Sequence, residues 1–242
     1  MKYLEKSPRK IKLSALKKLK YFDFNRPISK TGVKKLMNSI QNVGVQRGPV
    51  IVYTDVITGS FDYYIIDGQH LVTAAIALKI PEMLCFFVME KIKKKERLVQ
   101  IISLLNITAS TWKYKDFLHA WKSIDMPEYK VLNVKLTKFN QFTIYDVIKI
   151  YSCTGKKEFQ QGLLKLGDVK KGDTICQNLI DIFPLTGGKS TRFMQGYLQW
   201  INKNDVYDHD KMLCKLKCHK DFFTVGEAPG SVAKKLDYIY NS

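Results

Sequence analysis

One stretch constrains the fold of this chain more than any other: Tyr63-Tyr64-Ile65-Ile66-Asp67-Gly68-Gln69-His70-Leu71-Val72-Thr73-Ala74-Ala75. The apolar run over residues 61–66 fits a buried strand, and Asp67-Gly68 stops it. From 70 to 79 the good helix formers Leu, Ala and Lys dominate, and Pro81 ends the pattern. A strand that turns sharply through glycine into a helix leaves backbone N–H groups directed outward at the helix start, an arrangement that suits a phosphate. At Gly68 a Cβ would restrict both the turn and the approach of a ligand.

The neighbouring elements follow from pattern. Ser29-Lys30-Thr31 offers an N-cap for a helix running to about 42, with Val33, Leu36, Met37 and Ile40 at i, i+3, i+4 and i+7 and Gly44 as its stop. Residues 49–53 read as a strand, 54–60 as a hairpin turn containing Gly59, and 84–88 as another buried strand. Residues 1–20 carry eight Lys and Arg against the single acid Glu5. This segment reads as a basic arm for phosphate contact, through Arg9, Lys10 and Lys12, or as a solvated face whose Leu13, Leu16 and Leu19 tuck against the domain.

The charge excess belongs to the whole chain. Forty Lys and Arg against 22 Asp and Glu give +18 over 242 residues, a balance that suits a polyanion, DNA before RNA, although an acidic partner protein would answer it too. Five cysteines form no closely spaced framework, so reduced thiols and a cytoplasmic setting are expected. Cys214, Cys218 and His219 have poor spacing for zinc, and no metal site is expected. No apolar run is long enough for a bilayer, and no signal-peptide core follows the basic start.

Residues 23–90 resemble the N-terminal domain of the ParB/sulfiredoxin superfamily. The likeness is carried by Asn25-Arg26, by Ser39-Ile40 with Gly44-Val45, by Pro49-Val50-Ile51-Val52, by Ile65-Ile66-Asp67-Gly68-Gln69-His70 and by Ala74-Ala75, all in order and at matching spacing. The stretch from Asn106-Ile107-Thr108 through Trp112 to Asp116-Phe117-Leu118 is similar to one in ParB-like proteins of phages and mobile elements, which pair this domain with a helical half. The resemblance implies a phosphate cradle for CTP or ATP with magnesium, formed here by Arg26, Gly68, Gln69 and His70. Where ParB has Gly-Glu-Arg-Arg and sulfiredoxin Gly-Gly-Cys-His-Arg, this chain has Gly68-Gln69-His70-Leu71. The acid or cysteine is lost at Gln69, and at Leu71 a bidentate phosphate partner is lost. His70 keeps a side chain able to donate to phosphate when protonated. Binding is therefore expected more than hydrolysis. The enzyme alternative is a nuclease or nucleotide hydrolase using Asp67, Gln69 and His70, although metal-dependent cleavage normally wants two or more carboxylates. Plainer roles exist for each residue: Asp67 as a helix cap, His70 donating to a backbone carbonyl, Arg26 paired with Asp67.

From 92 onward the chain reads as helices: 96–105, 114–124, 143–152, 156–166, 174–182, 190–201, 208–215 and 230–240, with Met126-Pro127 ending the second. The aromatic residues Phe117 and Trp121 read as core before a base-stacking platform. The pair at 143–152 and 156–166 has helix–turn–helix spacing, with Lys156 and Lys157 as candidate DNA contacts. Gly187-Gly188-Lys189-Ser190 is no P-loop, because the first required glycine falls on Phe183. The expected organisation is a basic arm at 1–20, an α/β ParB/sulfiredoxin-like domain with a small mixed sheet at 21–92, and an all-α domain at 93–242. A homodimer and an acidic partner protein remain open.

Overall fold

The structure, a computed structural model, describes residues 4–44, 48, 50–55, 62–108, 112–188, 190–204, 206–219, 222–224 and 226–242. The turn expected at 54–60 lies almost wholly outside them, as do Val45, Pro49, Phe61 and Lys189. Two compact units emerge: residues 1–130 with 157–163, and residues 131–156 with 164–242.

The first unit is built on a five-stranded mixed sheet of β1 (Arg9–Lys12), β2 (Lys20–Tyr21), β3 (Val50–Thr54), β4 (Tyr63–Asp67) and β5 (Glu82–Phe87), in the order β1-β5-β3-β4-β2. The β1–β5 and β3–β4 pairs are antiparallel, and β3–β5 and β2–β4 are parallel. Between the strands lie α1 (Leu13–Leu16), α2 (Lys30–Val43) and α3 (Gln69–Ala77). Central β3 is buried on both faces, as its continuous Val50-Ile51-Val52-Tyr53 requires. Val50, Val52, Ile65 and Cys85 meet Leu71, Val72, Ala74 and Ala75 of α3, with Leu16 and Ile40 completing that core. Each fully buried Val or Leu there contributes about 1.5–3 kcal/mol. Tyr53 donates its hydroxyl to the Ile92 carbonyl at 2.9 Å.

Helices α4 (Lys95–Thr108) and α5 (Tyr114–Ser123) belong to this sheet-bearing unit, so the compact units do not divide at 92/93. The physical reason is the apolar stripe of α4, whose Leu98, Val99 and Ile102 are buried within the unit. Of the two readings of residues 1–20, the leucines tucked against the domain fit better: Leu16 is buried and Leu19 packs against the core, while Arg9–Lys12 is an edge strand paired with β5. With Ile11 as its one apolar residue, β1 carries almost no strand signal of its own, and pairing to β5 makes it one.

The helix α6 (Pro127–Lys138) is absent from the sequence reading. Pro127 reads as a stop for the preceding helix, yet proline is equally at home in the first helical position. Asp125, at φ 67°, makes the turn between them.

In the second unit stand α7 (Ile144–Tyr151), α9 (Val169–Ile182), α10 (Thr191–Ile201), α11 (His209–Cys218) and α12 (Pro229–Asn241). Helix α8 (Lys156–Gln161) is shorter than expected. Its residues from Lys157 on fall in the first unit, whereas α7 falls in the second. Helix α9 starts five residues earlier than expected, because Asp168 accepts from the Lys170 and Lys171 amides. Gly172 sits where a Cβ would come within 2.6 Å of the Tyr151 ring, and this close approach lets α7 and α9 pack. None of the helices among the described residues is long and apolar enough to cross a membrane.

Candidate functional site

The strand β4, the Asp67-Gly68 turn and α3 form the expected strand–turn–helix. Gly68 adopts φ 90°, and a Cβ there would lie 3.3 Å from the Val50 Cα. The glycine is thus required by its own backbone and by the neighbouring strand β3. Asp67 Oδ1 accepts from the Gly68 amide at 2.8 Å.

Gln69 and His70 act on the segment between β2 and α2. Asn25 donates from Nδ2 to the Ile65 carbonyl at 2.8 Å, which pins the segment to β4. Gln69, buried, donates from Nε2 to the Arg26 carbonyl. His70 accepts at Nε2 from the Ser29 amide at 2.9 Å. A backbone N–H can only donate, so Nε2 is the acceptor and a neutral ring carries its proton on Nδ1. Burial, then the Arg26 guanidinium, holds His70 below its ordinary 6.5. Two consecutive α3 side chains therefore grip residues 26–29 at both ends.

The segment so held forms one wall of an open cleft of about 600 Å3, lined by Arg26, Pro27, Ile28, Ser29, His70, Lys113, Lys115, Asp116 and His119. Lys113 and Lys115 flank the start of α5, where helical N–H groups already favour an anion. Asp116, the carboxylate among these residues, is buried and accepts at Oδ2 from the Lys113 amide at 2.8 Å. His119 bonds through Nε2 to the Asp23 carbonyl at 2.9 Å, and since a carbonyl only accepts, Nε2 is the donor. Three cations and two imidazoles thus line one cleft and give it a positive potential.

The structure thus brings Arg26 and His70 to the cleft, while Gln69 is turned to backbone support and Gly68 to packing. Lys113, Lys115 and His119 escaped the sequence reading. Their only signal was an unusual pair of lysines at a helix start, 43 to 45 residues beyond His70, and nothing local says that this start faces α3.

The remaining candidates separate from the cleft. Arg9 pairs with Glu5 and lies 5.1 Å from the Phe87 ring centre, and Lys10 pairs with Glu82 at 2.6 Å. Lys12, Lys156 and Lys157 are exposed. Trp112, Phe117 and Trp121 are buried as core. Ser190 caps α10 by accepting from the Phe193 amide, and a 3-10 turn, Phe183–Leu185, precedes it where a P-loop needs a strand. Burial pushes the Cys85 and Cys176 thiols up to about 11. Among the described residues no three His, Cys, Asp or Glu side chains gather to hold a metal.

No protein-family model matches the chain, and no curated protein matches it. Among solved structures it is similar to the C2221 form of a Pnob8-like ParB-N domain, at 13% identity over 99% of this chain and 100% of that one, with a TM-score of 0.39. It is also similar to a pNOB8-like ParB N-domain, at 12% identity over 100% and 96%, with a TM-score of 0.40. A third is the C-terminally truncated chromosome-partitioning protein ParB from Caulobacter crescentus complexed with CTP-gamma-S, at 12% identity over 95% and 98%, with a TM-score of 0.34.

Proposed function

We propose that this is a ParB-like nucleic-acid-binding protein that holds the phosphate groups of a nucleotide, CTP or ATP with magnesium, in the Arg26–His70–Lys113–Lys115 cleft. The observation that carries the reading is the convergence of three cations, from the Arg26 segment and the start of α5, on a cleft whose lining carboxylate is already bonded to backbone. A volume of about 600 Å3 lies within the roughly 300–1,000 Å3 of small-ligand sites. The net charge of +18 supports DNA as the larger partner.

The hydrolase reading gains nothing from the geometry. The Gln69 amide is engaged with Arg26, His70 Nε2 with Ser29, and Asp67 Oδ1 with Gly68.

Fluorescence anisotropy tests the proposal with labelled double-stranded DNA across a salt series, and with labelled CTP and ATP in magnesium. Nucleotide binding should fall by at least roughly tenfold in Lys113→Glu/Lys115→Glu, the loss of two phosphate contacts. DNA affinity should fall linearly in log–log against salt, with a slope near 0.9 per phosphate contacted. Absence of nucleotide and DNA binding at every salt concentration would sink the reading.

A further inference from the structure

The grip on residues 26–29 is uneven in its chemistry. At the Arg26 end the bond is made by the Gln69 amide, which does not titrate. At the Ser29 end it is made by an imidazole nitrogen that must be bare to accept. Ser29 is also the N-cap of α2, its Oγ accepting from the Gly32 amide at 3.2 Å. The His70 ring packs against that same first turn: a Cβ on Gly32 would come within 3.1 Å of His70 Cδ2. One side chain therefore holds the rim of the cleft and the start of a 14-residue helix together.

We propose that His70 is a proton-operated latch: with Nε2 bare it holds the Ser29 amide, and with Nε2 protonated it releases the Ser29 end of the rim and the first turn of α2. A protonated Nε2 would set two N–H donors against each other across the 2.9 Å now bridged by one hydrogen bond. The Gln69 bond stays closed throughout, so release is one-ended, about Arg26-Pro27.

The charged surroundings set the resting state. Arg26 faces the ring from the rim and opposes a positive charge on it, and Lys113, Lys115 and His119 line the same cleft, with Asp116 the one carboxylate among the described lining residues. The latch is accordingly closed in the neutral range. Because the folded value of His70 is depressed, its contribution to stability is fully present above the ordinary 6.5 and is lost as pH falls through the lower folded value. If the cleft binds phosphate as proposed above, the bound anion would reverse the local field, favour the protonated ring and open the latch at a higher pH. That second consequence rests on the anion reading; the latch itself does not.

The test is amide hydrogen exchange of residues 29–33 in the ligand-free full chain, from about pH 8 to about pH 5, corrected for intrinsic exchange rates. The wild type should lose protection about fivefold across the step, the worth of one hydrogen bond, while β3 and α3 amides hold theirs. His70→Gln offers an acceptor that does not titrate, and should keep protection and abolish the step. His70→Phe fills the ring space without an acceptor, and should show low protection at every pH. A flat wild-type profile, or an undiminished step in His70→Gln, overturns the latch. Repeating the series with tripolyphosphate then reads the anion coupling separately, so loss of that shift alone counts against the phosphate site and leaves the latch standing.

Discussion

His70 and His209 occupy opposite kinds of environment. In the second unit, His209 engages both ring nitrogens: Nδ1 lies 2.9 Å from the Tyr207 hydroxyl and Nε2 lies 3.2 Å from Asp181. Asn178 donates to the Tyr207 oxygen at 2.6 Å, and Tyr197 lies 2.7 Å from it, so the chain from Asn178 to Asp181 closes on itself. Asp173 is enclosed in the same way, accepting from Tyr151, Lys135 and Lys138. In the first unit the cations of the cleft gather around a void with one carboxylate, itself bonded to backbone. The comparison teaches a rule for this protein. Charges answered by opposite charges hold the second unit, whereas the charges that line the cleft of the first unit are mostly of one sign.

The sharpest way to break the comparison is at Asp173. Asp173→Leu would leave the buried Tyr151 hydroxyl and the largely covered Lys135 without their acceptor, a loss of about 3 kcal/mol by urea denaturation. Asp173→Asn should recover part of that through the Tyr151 bond. Next comes Tyr207→Phe, which removes one oxygen shared by three partners and should lower stability by about 1.5 kcal/mol. Neither change should alter nucleotide affinity.

The first unit should respond in the opposite sense. Gln69→Ala frees the Arg26 carbonyl at a cost of about 1 kcal/mol and should weaken nucleotide binding, because Arg26 is no longer positioned. Lys113→Ala and Lys115→Ala should change stability by less than about 0.5 kcal/mol while reducing nucleotide and DNA affinity. A stability loss above that with unchanged binding would erase the distinction between the two regions.

Acid titration sharpens the same contrast. Burial raises the Asp173 carboxyl, but Lys135, Tyr151 and Lys138 outweigh it and bring the group down to about 2. Its contribution to stability is present above the ordinary 3.8 and lost as pH falls toward about 2, whereas that of His70 begins to be lost below the ordinary 6.5. The stability gap between wild type and Asp173→Asn should therefore hold steady above the ordinary 3.8 and close only as pH falls toward about 2.

Much of the first unit was legible. The α2 face, the β3 run and the β4–Gly68–α3 turn each carry a complete local signal: a period, a cap, a glycine. Helix α6 was lost because its first residue, Pro127, is read equally as a stop and as a start. Strand β1 was lost because Arg9, Lys10 and Lys12 leave it one apolar residue, so only the partner strand identifies it. At the site, Arg26, His70 and the turn glycine Gly68 could be named from the chain, but the bond from Gln69 to the Arg26 carbonyl and the packing of Gly68 on Val50 could not.

The sequence by itself determined the strand–turn–helix, the mixed sheet followed by helices, and the excess of positive charge. These are short-range properties, set by periodicity, capping and composition. Only the tertiary structure decided that His70 accepts from Ser29, that Gln69 grips the Arg26 carbonyl, and that Lys113 and Lys115 join Arg26 around one cleft. Hydrogen-bond direction and the gathering of charge depend on which surfaces meet, and residues more than forty positions apart carry no local mark of the partner they will find.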